Sequence, residues 1–170
     1  MSPRAVLVGP MGAGKTTVAR LLAREWGVSV RDTDADIEAT AGKPISEIFV
    51  DDGEAHFRAL EREAVAKALQ EHDGVLALGG GAVLDETTRE LLATHPVVFL
   101  SVGLSDAVKR VGMGTGRPLL LGNVRARIKA LLDERLPIYR AVATVIVDTD
   151  GKEPGDVAAE VIAALEGATP

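Results

Sequence analysis

No cysteine occurs anywhere in the 170 residues, which excludes disulfides, thiolate metal centres and thiol nucleophiles together. A reducing, cytosolic setting suits such a chain. Aromatic residues make up only 3%, with one Trp, one Tyr and three Phe. Ala, Val, Leu and Ile must therefore fill the core, and little remains to build stacking platforms for single-stranded nucleic acid. Excess positive charge is missing too: the formal net charge is -6, whereas a phosphate-backbone binder presents a basic surplus. No long apolar run is present. Ala5-Val6-Leu7-Val8 near the amino end is too short for a signal-peptide core or a membrane span. The expectation is a monomeric cytoplasmic protein that uses small-molecule substrates and binds neither nucleic acid nor membrane.

Apolar residues at 46% and charged residues at 26% are ordinary for a globular protein, and the length fits one domain over 1–170. Short β-branched runs alternate with longer helical stretches. Strands are predicted at 5–8, 28–32, 75–78, 97–102 and 144–147. Helices are predicted at 15–26, 35–41, 45–49, 52–71, 86–93, 104–111, 124–136 and 155–165. Continuous apolar strands separated by helices imply a mostly parallel sheet covered on both faces. Ligands then bind beyond the carboxyl ends of the strands. Residues 112–122, with four glycines and one proline around Arg117, are expected to be irregular and to act as a lid.

Gly9-Pro10-Met11-Gly12-Ala13-Gly14-Lys15-Thr16, followed by Thr17, matches G-x-x-x-x-G-K-[ST]. Such a loop needs glycines so that backbone N–H groups approach phosphate oxygens, and the following helix directs its positive end at them. Lys15 is placed to reach the β and γ oxygens and Thr16 to ligate Mg2+. Strand three ends in Leu78-Gly79-Gly80-Gly81 without an acid, so the carboxylates for the metal come from Asp32-Thr33-Asp34. Asp32 is assigned to the metal's water shell and Asp34 to substrate hydroxyls, with helix capping as the alternative for Asp34.

On a wheel for 52–71, Phe57, Leu60, Ala64, Val65, Ala68 and Leu69 form the apolar stripe. Arg58 and Glu61 fall within it, although unpaired inward charge is costly. Further on, Val124, Ile128, Leu131 and Leu132 define an inner face that also carries Arg135, and Pro137 is expected to end that helix. A bidentate clamp for a carboxylate and internal pairing with Glu61 are equally compatible with these positions taken alone. Gly79-Gly80-Gly81 strips bulk from a pocket floor and leaves backbone donors exposed.

Together these pieces resemble the shikimate kinases, of the nucleoside-monophosphate-kinase-like branch of P-loop folds. They are the G-P-M-G-A-G-K-T-T loop, Asp32-Thr33-Asp34, Gly53-Glu54-Ala55-His56-Phe57-Arg58, Gly79-Gly80-Gly81-Ala82, Arg117-Pro118-Leu119-Leu120 and Arg135-Leu136-Pro137-Ile138-Tyr139. They stand in family order from residue 9 to beyond 140.

The resemblance implies a three-layer α/β/α kinase whose five-stranded parallel sheet has the order 2-3-1-4-5. A substrate-binding segment would lie near 33–61 and a lid near 112–123. The implied reaction is ATP-dependent phosphorylation of shikimate in aromatic amino acid (chorismate) biosynthesis. ATP would contact Gly12, Ala13, Gly14, Lys15, Thr16, Thr17 and Arg117, with adenine between Arg110 and Pro154. Shikimate would contact Asp34, Gly79, Gly80 and Gly81 and be held through its carboxylate by Arg58 and Arg135, which Glu61 orients. Lys15, Asp34 and Arg117 carry the chemistry. The alternatives are a gluconate-type kinase, a nucleoside-monophosphate kinase and a non-catalytic nucleotide-binding module. A GTP switch lacks support, because no N-K-x-D guanine reader is present.

Overall fold

The computed structural model describes the backbone of residues 2–115 and 121–168 and the side chains of residues 2–110 and 125–167. Five strands, β1 (Ala5–Val8), β2 (Val30–Asp32), β3 (Val75–Ala77), β4 (Val97–Ser101) and β5 (Val145–Asp148), form one parallel sheet in the order β2-β3-β1-β4-β5. That is the order implied by the resemblance. Every residue of the central strands β1 and β3 is buried, while the edge strand β2 is half-buried throughout. This explains why the inner strands read as unbroken apolar runs and the edges do not.

The eight helices among the described residues are α1 (Lys15–Trp26), α2 (Thr33–Ala41), α3 (Ile45–Asp52), α4 (Glu54–Glu71), α5 (Glu86–Leu92), α6 (Leu104–Thr115), α7 (Leu121–Val142) and α8 (Pro154–Ala168). Alternate strand residues supply two separate cores. Ala5, Leu7, Val98 and Leu100 pack with Val18 and Leu22 of α1 and Val157 and Val161 of α8 on one face. Val6, Val8, Leu76 and Phe99 pack with Val65 and Leu69 of α4, Leu92 of α5 and Tyr139 of α7 on the other. A third, small cluster of Ile37, Ile48 and Phe57 ties α2, α3 and α4 into the segment that borders the acceptor side.

Four helices outrun their predicted ends: α3 reaches Asp52 and α8 Ala168, and α6 and α7 run further still. α7 continues through Pro137 to Val142. A mid-helix proline removes one hydrogen bond and costs about 3 kcal/mol. That cost is offset by packing beyond it, because Tyr139 is fully buried in the α4-side core and Ile138 and Val142 pack partly against it, at roughly 1.5–3 kcal/mol for a large side chain fully buried. The backbone of α6 stays helical to Thr115, through the first part of the glycine-rich segment. A glycine costs a helix only about 1 kcal/mol relative to alanine, and no proline intervenes before Pro118. Residues 116–120 of the expected lid, Arg117 included, lie outside the described residues, and residues 121–123, also expected in the lid, begin α7. The helix predicted from residue 52 instead begins at Glu54, because Gly53 (φ 87°, ψ 165°) breaks the chain between α3 and α4.

Candidate active site

β1 has β3 on one side and β4 on the other, so connections diverge at its carboxyl end and open a crevice there. The loop Gly9–Gly14 fills that position and runs straight into α1. Gly9 sits at φ +149°, and a Cβ there would lie 2.5 Å from the Leu100 carbonyl oxygen. Only glycine lets the loop turn this tightly over β4. Gly14, the residue before α1, has a left-handed backbone (φ 84°) and offers no side-chain cap, so the first N–H groups of α1 remain for an anion. Lys15 Nζ folds back onto the loop and donates to the carbonyls of Gly9 (2.6 Å) and Pro10 (3.0 Å). Burial lowers its pKa to about 8, against the opposing pull of Asp34 and Asp32.

A cavity of about 340 Å³ lies over this loop, lined by Gly12, Gly14, Lys15, Thr16 and Thr17 and by Asp32, Asp34, Gly79 and Gly80 across from them. Ala13 does not line it. Its methyl is buried in the core and its N–H donates to the Pro10 carbonyl. The donors facing the cavity are hydroxyl and carboxylate oxygens, the hard ligands magnesium takes. Among the described residues no cluster of three or more His, Cys, Asp or Glu could cage a metal. That set fits an ion that keeps waters and phosphate oxygens as its other ligands. Asp32 also serves as N-cap of α2, its Oδ1 accepting from Asp34 N–H at 2.8 Å. The capping alternative for Asp34 is thus taken by Asp32, and Asp34, in the first turn of α2, is left facing the cavity.

A second cavity of about 290 Å³ shares Met11, Asp34, Gly79 and Gly80 with the first and is otherwise lined by Arg58, Glu61, Gly81 and Arg135 and by Ile45, Phe49, Phe57, Ile128, Leu131 and Leu132. It has apolar walls and two cations. Leu131, expected to be inward, is 43% exposed because it stands at this cavity's rim. The inward placement of Arg58 and Glu61 is as predicted: Glu61 is 4% exposed, and Arg58 Nη1 donates to its Oε1 at 2.7 Å. Glu54 lies 3.6 Å from the other side of Arg58. Burial raises the Glu61 pKa, with Arg58 opposing. Arg135 forms no ion pair with any described residue. A guanidinium turned into a pocket without a carboxylate partner is costly unless a ligand supplies one.

The three glycines explain how these groups crowd together. A Cβ at Gly79 would lie 2.6 Å from Asp34 Oδ1, and one at Gly81 would lie 2.5 Å from Arg58 Nη1. At Gly80 the nearest atoms, all at 3.6 Å, are Arg135 Nη1, the Gly9 carbonyl oxygen and the Met11 nitrogen, so Arg135 is the one side chain there. Each glycine thus faces a different polar side chain. Burial and the neighbouring Asp32 raise the Asp34 pKa, with Lys15 opposing, which makes its carboxylate a better proton acceptor.

Arg110 does not line either cavity, and neither does Pro154, the first residue of α8. Arg110 bridges the phosphate loop to the segment after β5. Its Nη1 donates to the Gly12 carbonyl (2.7 Å) and Thr149 Oγ1 (3.2 Å), and its Nη2 to the Thr149 carbonyl (3.1 Å). These bonds tie the phosphate loop to the segment after β5 through the guanidinium's edge. Thr149 fixes this arrangement, and nothing in the sequence spacing marks a buried threonine. The sequence marks Tyr139 only as part of a motif, although its i+4 spacing from Arg135 puts both on one face of α7.

Comparison with known proteins agrees with this geometry. A family profile described as shikimate kinase matches residues 11–166. The shikimate kinase of Salinispora arenicola is 66% identical over 165 residues, covering 97% of this chain and 99% of that protein. That of Thermobifida fusca is 63% identical over 161 residues, covering 95% and 93%. Among solved structures, shikimate kinase from Acinetobacter baumannii in complex with shikimate superposes with a TM-score of 0.90 at 35% identity, covering 98% of this chain and 94% of that one. Matched along nearly its whole length in sequence and in fold, the chain belongs to the shikimate kinase family.

Proposed function

We propose that the chain transfers the γ-phosphoryl group of ATP to the 3-hydroxyl of shikimate, giving shikimate 3-phosphate and ADP. The observation that carries this proposal is the second cavity: an Arg135 without an ion pair among the described residues and a Glu61-braced Arg58 flank a glycine floor on the wall shared with the phosphate loop. A compact carbocyclic acid fits it, its carboxylate taken by the guanidinium forks and its ring by Phe49, Phe57 and Ile128. The complex formed by the Acinetobacter baumannii relative supports this choice of acceptor.

In the reaction, the bond from the γ-phosphorus to the β,γ-bridging oxygen breaks as the bond to the acceptor oxygen forms, and ADP leaves. Catalysis is mostly alignment and charge neutralisation. Lys15 leaves the Gly9 and Pro10 carbonyls to meet the β and γ oxygens. Asp34, on the wall between the cavities, holds the acceptor hydroxyl and accepts its proton. Arg117 on the lid is assigned to the transferring group, and Arg110 with Pro154 to adenine. Magnesium would be held by Thr16 and, through water, by Asp32, and supplies charge neutralisation on the phosphates when bound.

A coupled ADP-release assay with shikimate, gluconate and nucleoside monophosphates tests the acceptor. Turnover that depends on shikimate and saturates with it is expected. Equal ADP release with every acceptor, or with none, would reduce the chain to a nucleotide hydrolase.

A further inference from the structure

Tyr139 does not line the acceptor cavity, yet it touches two of the elements that build it. It is buried (1% exposed), and its ring stacks on Phe99 of β4 with centroids 5.0 Å apart and planes at 24°. Its hydroxyl donates to the Gly80 carbonyl. Four residues earlier on the same face of α7 stands Arg135, whose guanidinium lies against the phenol and favours its ionised form, while burial prevails in the other direction.

The glycine floor is held in an uneven way. The carbonyls of Gly79 and Gly81 accept from Ala82 N–H and Leu84 N–H, both at 3.1 Å, within the turn itself. Tyr139 is the side chain that takes the middle carbonyl. In a trans peptide the carbonyl and the next N–H lie in one plane and point in opposite directions. With the Gly80 carbonyl tied to Tyr139, the Gly81 N–H is therefore aimed away from α7. Neither Gly80 N–H nor Gly81 N–H donates to any described residue. Of these two free donors, the Gly80 N–H shares its peptide with the Gly79 carbonyl that Ala82 N–H holds, and the Gly81 N–H takes its direction from the phenol.

We propose that Tyr139 is a positioning residue for the acceptor: through its bond to Gly80 and its place one turn after Arg135, it fixes the Gly81 donor relative to the carboxylate-binding guanidinium without touching the acceptor itself. This rests on the assignment of shikimate to the second cavity. The phenol spans the sheet, the glycine floor and α7, so its ring secures packing and its hydroxyl secures the floor. Those two contributions separate chemically.

Tyr139→Phe keeps the ring on Phe99 and removes only the hydroxyl, leaving the half-buried Gly80 carbonyl without its donor. The expected result is a rise of about tenfold or more in the KM for shikimate, with the KM for ATP within about twofold and kcat falling by less than the KM rises. Lowered thermal stability with an unchanged shikimate KM would reduce Tyr139 to a packing residue and overturn the proposal. A second measurement needs no destabilising substitution. The chain contains a single tyrosine, so growth on 3-fluorotyrosine places one 19F reporter at this position. Addition of shikimate is expected to move that resonance, and a signal indifferent to saturating shikimate overturns the proposal. If the unsubstituted chain turns over no shikimate, the acceptor assignment itself falls and takes this role with it. If it does, the variant and the resonance judge Tyr139 alone.

Discussion

Adding a single methyl group to the glycine floor separates binding from folding. Gly81 has φ −101° and ψ 4°, a backbone that alanine adopts without strain, so Gly81→Ala is neutral or slightly stabilising for the fold. The new Cβ would stand 2.5 Å from Arg58 Nη1, 2.7 Å from Nη2 and 2.9 Å from Cζ. An ordinary contact is at least about 3.4 Å, so the guanidinium must move by about 0.9 Å or more. Arg58 is flexible at its far end and can give way, but not while keeping both its 2.7 Å bond to Glu61 and its aim into the pocket. A misplacement of about 1 Å costs on the order of 100-fold, or about 2.7 kcal/mol. The coupled ADP-release assay with shikimate varied should therefore show kcat/KM for shikimate falling about 100-fold, with the KM for ATP and the melting temperature nearly unchanged. Gly79→Ala should act in the same way through Asp34, 2.6 Å from its Cβ, but on kcat. Gly80→Ala displaces no side chain, because the groups nearest its Cβ stand at 3.6 Å, so any loss there reports the methyl's own bulk against the acceptor. If Gly81→Ala leaves shikimate kinetics intact, the contacts assigned to the glycine floor are wrong.

Arg135→Ala should weaken shikimate binding by about 2–5 kcal/mol, since it removes one partner of a desolvated ion pair; an unchanged shikimate KM would place Arg135 outside the site. Lys15→Ala should abolish transfer, and normal turnover in that variant would remove the phosphate loop from the chemistry. Lys15 has a pKa of about 8 in the nucleotide-free chain, below its ordinary 10.5, so the unfolded chain binds more protons between those values and stability from this group rises with pH across that window. Phosphates raise the pKa again, so nucleotide binding takes up protons above about pH 8 and weakens as pH climbs. Titration calorimetry at pH 8.5 in two buffers of different ionisation enthalpy should then give different apparent enthalpies, and identical values would refute the shift. Arg117→Ala should lower turnover more than shikimate affinity, which steady-state kinetics read directly, and the reverse would remove Arg117 from the transferring phosphate.

Local chemistry written in the sequence determined much of this protein. Ala5–Val8 is apolar at every position because both of its faces are covered, and that is visible in four letters. The phosphate loop is legible because its glycines answer a local need for close backbone approach, and Arg58 and Glu61 because helical periodicity exposes a charge on the wrong face. Tertiary structure decided what periodicity cannot reach. Pro137 would end an isolated helix, yet α7 runs past it because Tyr139 and Val142 find a core on the far side. Asp32, rather than Asp34, became the cap because the chain leaves β2 extended at that residue. The three glycines look interchangeable in one dimension, but each faces a different side chain, brought from α2, α7 or α4. Sequence carries the repeat of a helix or a strand, since that depends on neighbours along the chain. Which distant side chain meets which backbone atom depends on how whole layers pack, and no stretch of residues contains that by itself.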